Sequence, residues 1–298
     1  MPLHTIGVPA TGRGQRPSWF GLTSGDAATL VLAALFYYQP MVNQAAVMQW
    51  IIDHVFGGSM FACSVLGLFV AHKTLEWSGL LLFSGLYCLQ DALPQGSWLK
   101  RHLDQATVQS PESWSWEQSS KQRGEHAVLQ KRSLRYIVTF HLCASLAQLL
   151  IWMSKVIMKV EWSPLTTSVS IPVGMSWEWS EKRAVSRGDP ATIPPWHVSA
   201  YQCLIATVVA ETGFYWAHRL LHETRLYQYH KRHHEYNYSS VWATFYVSLF
   251  DAVLTDFIPA GFGVVFFDMH LWTQWMYTLP LILNALFVHC GYQNERLI

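Results

Sequence analysis

Long apolar runs alternate with polar connections along the whole chain. Residues 27–52 (AATLVLAALFYYQPMVNQAAVMQWII) contain no Lys, Arg, Asp or Glu. A hydrocarbon layer about 30 Å thick is crossed by about 20 such residues in a helix. Further apolar segments occupy residues 59–75, 78–93, 136–158, 198–217 and 241–290. The last is too long for one span and breaks at Asp268-Met269-His270, which predicts helices over 241–267 and 271–289. Pro40, with Asn43 and Gln44 nearby, predicts a kink in the first segment. His72, Lys73 and Glu76 divide the second segment from the third, which predicts a tight hairpin or one shallow element. The fold class that follows is all-α: a polytopic membrane protein with about four to seven embedded helices.

The polar connections set an orientation. Residues 94–135 hold Lys100, Arg101, Lys121, Arg123, Lys131, Arg132 and Arg135, the densest basic stretch of the chain, and basic loops stay cytoplasmic. The span 136–158 then carries residues 161–197 to the far side, and 198–217 returns the chain to the cytoplasm. The out-and-back pair 241–267 and 271–289 brings His289 to that same side. Asn237-Tyr238-Ser239 is a glycosylation sequon that this topology predicts to remain unmodified.

Composition agrees with a lipid environment. Charged residues make up 13% of the chain and hydrophobic ones 51%, against about 25% charged in soluble domains. Many of the 15 Trp, including Trp50, Trp77, Trp98, Trp152, Trp162, Trp196 and Trp272, stand at the ends of apolar runs, where headgroups suit an amphipathic ring. A net charge of +1 without a basic patch argues against nucleic acid as a partner. The five Cys are dispersed and form no CxxC, which excludes a disulfide framework or zinc-finger site. Residues 1–20 lack the basic-then-apolar pattern of a cleaved signal peptide.

Histidine placement changes the picture most. Residues 211–235 read ETGFYWAHRLLHETRLYQYHKRHHE. His218 and His222 are four apart, on one helical face, and His230 stands three and four residues before His233 and His234. Any one of them, among Arg219, Arg225, Lys231 and Arg232, reads as a surface residue of a basic loop. Five at these spacings, just past a membrane exit, read as ligands to iron, zinc or copper. Glu211, within the preceding span, is on the face of His218. His289, in VHCGYQ, is a sixth candidate, because the returning hairpin brings it to the same side. His4, His102 and His126 read as solvated, and His54, His72, His141, His197 and His270 as isolated residues near span ends. Asp251 and Asp256 are carboxylates within an apolar stretch, a placement that is costly and often functional, although helix ends facing the interface account for them equally well. Alkyl chains offer no polar handle, so oxidising them requires a cofactor that the protein binds and orients, as soluble di-iron bundles do with Glu and His.

The stretch Glu211–Glu235 resembles the fatty acid hydroxylase/sterol desaturase superfamily, in particular its sterol C4-methyl oxidase-like branch. The motifs are His-x3-His within FYWAHRLLH, His-x2-His-His within YHKRHHEY, and HCGY at 289–292, similar to the branch's His-(Ser/Cys)-Gly-Tyr. The resemblance covers about 198–292, and divides the chain into N-terminal helices with a basic loop (1–135) and a hydroxylase-like domain (136–298). It implies a membrane-bound non-haem di-iron oxygenase of the endoplasmic reticulum, acting on a sterol, fatty-acyl chain or similar apolar lipid. Dioxygen and electrons from a cytochrome b5-type or NAD(P)H-linked donor would be its co-reactants. It makes His218, His222, His230, His233, His234 and His289 metal ligands, with Glu211 and Glu235 orienting imidazoles and Asp251 an added contributor. Two departures stand out. The family continues to a third His-x2-His-His cluster, which this sequence, ending at Ile298, does not contain. It also often carries a His-Pro pair early in the next span, where this chain reads FYVSLFD, 245–251. A catalytically silent accessory protein that binds lipid or a partner enzyme is the alternative, and a sequence cut short would look the same. A metal transporter fits less well, since its ligands belong near the bilayer midplane.

Overall fold

A computed structural model describes residues 43–101, 120–164, 170–177, 180–223, 225–236 and 240–292. Most of the first apolar run, with Pro40, and the Asn237-Tyr238-Ser239 sequon lie outside the described residues. The described chain is helical apart from one short ribbon. Helix α1 (Gln44–Val55) starts where the Asn43 side chain accepts from the Ala46 amide at 3.0 Å. Its 12 residues reach only about 18 Å, and it seats Met48 and Ile52 against Cys63, Leu271 and Trp275.

Helix α2 (Met60–Ala92) runs unbroken for 33 residues, about 50 Å. It corrects the expected division of 59–75 from 78–93. His72, Lys73 and Glu76 do not end the helix because they pair with one another and with residues of other helices, so they need no water. Lys73 Nζ meets Glu76 Oε2 at 2.7 Å, His141 Nδ1 meets the same oxygen at 2.9 Å, and His72 Nε2 meets Thr278 Oγ1 at 2.7 Å. Helix α3 (Ser120–Ile157) begins well before the apolar run and so draws Lys121, Arg123, Lys131, Arg132 and Arg135 of the basic stretch into a helix.

The polar connection that follows contains an unexpected antiparallel ribbon, β1 (Met158–Pro164) with β2 (Ser170–Trp177), in register Met158↔Trp177 to Pro164↔Ser170 with an irregularity at Glu161/Trp162. Short helix α4 (Glu181–Ser186) leads through a 3-10 turn to α5 (Trp196–Leu221), whose end carries the first histidines. After one-turn helix α6 (Tyr227–His230) and two 3-10 turns, His233–Glu235 and Val241–Phe245, the last pair of helices follows. These are α7 (Leu249–Phe266) and α8 (Leu271–His289). The expected span over 241–267 therefore starts later, at the Ser248 cap, whose hydroxyl accepts from the Asp251 amide at 3.1 Å. Among the described residues, Met60–Ala92, Val128–Leu150 and Leu249–Phe266 are long and apolar enough to cross a membrane. The chain is an all-α membrane protein in which α5 and α8 pack alongside these three.

Two kinds of contact hold the bundle. Apolar layers join α2, α3 and α8 through Leu80, Phe83, Ile137, Val241, Phe245 and Leu286. Small residues let α5 and α7 approach closely. A Cβ on Gly263 would lie 2.4 Å from Ala206 Cβ, and one on Gly213 would lie 3.0 Å from Pro259, the close packing favoured between membrane helices. At the end away from the histidines, Arg187 pairs with Asp268 and the Leu271 amide donates to the Arg187 carbonyl at 2.8 Å. At the other end, the Tyr87 hydroxyl donates to the Cys290 carbonyl at 2.6 Å and accepts from the Val241 amide at 3.1 Å. One side chain thus pins α2, α8 and the histidine-bearing connection together.

Candidate metal centre

Helix α5 delivers His218 in its last turn and His222 at its C-cap, so the two rings stack with centroids 4.9 Å apart and their Nε2 atoms 2.9 Å apart. The chain then doubles back. One-turn α6 places His230 at 4.6 Å from His218 and 4.9 Å from His222, ring centre to ring centre. The next 3-10 turn adds His234, 4.7 Å from His230. Ligand atoms of His218, His222, His230 and His234 all lie within 4.8 Å of one another. Four ligands at about 2.1 Å in a tetrahedron around one ion stand about 3.4 Å apart, so shifts of under about an ångström per side chain would close these four on a single cation.

His233 faces a second direction. Its ring centre is 5.5 Å from that of His230 and 5.1 Å from that of His289, at the end of α8. All six histidines singled out in the sequence are therefore grouped at one end of the bundle, as a set of four and an adjoining pair bridged by His230.

The protonation pattern suits a cation. His230 is 2% exposed, and its Nδ1 lies 2.7 Å from Oδ2 of Asp251, itself 1% exposed. That contact places the proton on Nδ1, donating to the carboxylate, and leaves the Nε2 lone pair facing the cluster. Nε2 of His230 and Nδ1 of His233 are buried without a hydrogen-bond partner among the described residues, an expensive condition that a bound cation relieves. Burial, followed by the neighbouring His289 and His230, pushes the His233 imidazole down to about 3. Burial and the His230 and His222 rings likewise lower His234. Both are neutral at ordinary pH, the form that binds metal.

The four carboxylates are placed differently. Asp251 is held by its contact with His230 and by Thr255, whose hydroxyl donates to the Asp251 carbonyl at 2.9 Å. Both sit where α7 passes into a π-helical stretch, Val253–Phe257, just before Pro259 removes one backbone donor. Glu235 turns to Arg132 and accepts from the Tyr246 hydroxyl at 2.9 Å, tethering the histidine turn to α3 and α7's lead-in. Glu211 lines the cavity beneath the cluster, as does Asp256.

That cavity, about 580 Å³, runs from His218, His230, His233 and His289 into the bundle between α2, α3, α5, α7 and α8. It is within the range of small-molecule sites, and its walls are mainly apolar: Phe140, Ala144, Phe214, Leu281, Ile282 and Val288. The sequence reading missed its inner end. His72, Glu76 and Gln148 line the cavity there, whereas His72 and His141 had read as isolated residues near span ends. Their partners are 65 to 206 positions away in sequence (the difference 141 − 76 for His141–Glu76, and 278 − 72 for His72–Thr278). No local spacing reveals them.

Comparison with known proteins identifies the segment that carries the histidines. The fatty acid hydroxylase family model matches residues 203–298. The matched segment is similar to the fatty acid hydroxylase family. Similar proteins include fatty acid hydroxylase domain-containing protein 2 of Macaca fascicularis, 34% identical over 35% of this chain and 32% of that protein. Methylsterol monooxygenase 1 of Gallus gallus is 30% identical over 39% of this chain and 36% of its own length. Methylsterol monooxygenase 2-2 of Arabidopsis thaliana is 31% identical over 42% and 47%. The similarity thus spans less than half the length of each relative. No solved structure matches. The matched segment contains α7, α8, all six histidines and most of α5; α2 and α3 complete the cavity from outside it.

Proposed function

We propose that this chain is a membrane-bound non-haem iron oxygenase of the hydroxylase or desaturase type, acting on an apolar lipid. The observation that carries the reading is the convergence of six imidazoles on the end of a cavity walled by apolar side chains within a membrane bundle. His218, His222, His230 and His234 would hold one iron, and His233 with His289 would contribute to a second. Bound there, iron would supply the activation of dioxygen that no side chain provides. Hydroxylation puts one oxygen atom into a C–H bond and reduces the other to water, with two electrons and two protons from an external donor. A cytochrome b5-type or NAD(P)H-linked reductase is the proposed donor, and the endoplasmic reticulum, with the histidines facing the cytoplasm, the proposed location.

The chain's own residues do the positioning. Asp251 fixes the His230 tautomer; Glu235, held by Arg132 and Tyr246, fixes the turn that bears His233 and His234. The apolar walls exclude water and hold the hydrocarbon, while Glu211 and Asp256 face the same space. The deciding experiment purifies the full chain, measures iron per chain and follows oxygen-dependent conversion of lipid with a reductase. Bound iron and conversion, both lost in His218→Ala and His233→Ala, are expected. Absence of iron, together with unchanged lipid products in cells carrying those variants, would favour the accessory-protein reading instead.

A further inference from the structure

The inner end of the cavity carries a directed chain of hydrogen bonds. The Thr278 hydroxyl donates to the Gln274 carbonyl at 2.7 Å, so its oxygen must accept from His72 Nε2, also at 2.7 Å. A neutral His72 with its proton on Nε2 has a lone pair on Nδ1. That atom accepts from the amide nitrogen of Gln148, which fixes the orientation of the Gln148 amide. Its Oε1 is left over, buried and without a partner among the described residues. Beside it, Glu76 is 4% exposed and lines the same cavity, with its Oε2 taken by Lys73 and His141. The inner end therefore presents acceptors, an amide carbonyl and a carboxylate, while the ammonium of Lys73 is already engaged.

This end is far from the histidines. Thr278 and His289 are 11 residues apart on α8 (289 − 278), about 16 Å at 1.5 Å per residue. Between them the cavity is lined by Leu281, Ile282, Ala285 and Val288, with Asn284 among them, its Oδ1 also buried without a partner among the described residues. A backbone residue, three bonds long, extends about 3.5 Å, so an extended hydrocarbon needs about 13 carbon–carbon bonds to bridge the two ends.

We propose that the cavity takes a neutral, elongated lipid alcohol, its hydroxyl donating to Gln148 Oε1 while the carbon to be oxidised lies at the histidine cluster, about a dozen bonds away. This rests on the oxygenase reading for the word oxidised, but not for binding. A carboxylate-ended chain suits the site poorly, because it can only accept and would face Glu76. A rigid lipid whose hydroxyl adjoins its reacting carbon cannot engage both ends at once. Gln148 is a specificity-determining residue in this arrangement, and His72 and Thr278 position it.

The test uses the full chain in nanodiscs, without added iron, and measures affinity for 1-tetradecanol, its methyl ether and tetradecanoate by tryptophan fluorescence. The alcohol is expected to bind about tenfold more tightly than either analogue, the gain from satisfying one buried acceptor. Gln148→Met should erase that preference while leaving affinity for the ether unchanged, and His218→Ala should leave the preference intact. Equal affinity for all three ligands in the unaltered protein would overturn the proposal, as would a preference that survives Gln148→Met. Loss of iron binding or turnover would sink the oxygenase reading without touching these ratios. If the loaded enzyme turns over tetradecanol, oxidation near the far end of the chain is expected; oxidation beside the hydroxyl would contradict the assigned orientation.

Discussion

Asp251 shows how a single carboxylate sets the character of the cluster. Its contact with His230 Nδ1 is made in a fully buried position, so the imidazole has one tautomer and one ring orientation available. Partners of this kind typically alter metal affinity 10- to 100-fold. Asp251→Asn preserves the shape but weakens the acceptor, and is expected to lower iron affinity by about tenfold or more with the fold retained; titration with ferrous iron under anaerobic conditions measures it. Tyr246 makes a second residue-scale prediction. Burial, then its hydrogen bond to Glu235, pushes the Tyr246 phenol up to about 12, against about 10 for a free tyrosine. The folded state thus holds this proton more tightly than the unfolded one. Its contribution to stability is complete below pH 10 and is lost as the pH rises from 10 toward 12. An alkaline titration should show Tyr246 ionising late, with the Arg132–Glu235 tether loosening in the same range; Tyr246→Phe should diminish that late phase of the tyrosinate absorbance, to which Tyr236, also pushed up to about 12 by burial, still contributes.

At the scale of elements, the path of α5 decides where His218 and His222 arrive. That path depends on the absence of side chains where α5 crosses α7. Gly263→Val would place a Cβ 2.4 Å from Ala206 Cβ and 3.0 Å from its Cα, and backbone contacts of that kind cannot be relieved by a rotamer change. A loss of about 1–3 kcal/mol is expected, typical of overpacking, read as a lower unfolding midpoint in detergent, with weakened metal binding because His218 moves with the helix. The histidine elements were legible in the sequence because their spacing is local: four residues from His218 to His222, three and four from His230 to its partners. His289 was legible through parity of the spans. The continuity of α2 was not, because Lys73 and Glu76 look like a break until His141 supplies a partner from α3. Nor was the β1–β2 ribbon legible, within a polar connection where apolar periodicity carries no signal. The inner polar end of the cavity shares this cause: its chain of hydrogen bonds assembles residues from three helices.

For the whole molecule, the helix directions place the histidine cluster at one end of the bundle. Helices α2 and α8 run side by side in the same sense, since Gly67 meets Leu271 and Trp275 while Gly79 meets Leu286. Helix α3 runs against them, from Ser133 beside Tyr236 to Gln148 beside His72. The histidine cluster, Arg132 and the end of α2 therefore share one end, and the turn from Asp189 to Pro195 shares the other with Asp268 and His270. The proposed cytoplasmic orientation of the histidine end follows from the density of basic residues over 94–135. Two consequences can be checked together in microsomes. Asn237 lies in a natural sequon next to His234 and should carry no glycan, whereas a sequon introduced into 189–195 should be modified and raise the apparent mass by one glycan. The reverse pattern would put the histidines on the luminal side, out of reach of a cytoplasmic electron donor, and would remove the proposed source of reducing equivalents. The orientation and the oxygenase reading are linked in this way, so the glycan pattern tests whether this cluster can be supplied with electrons at all.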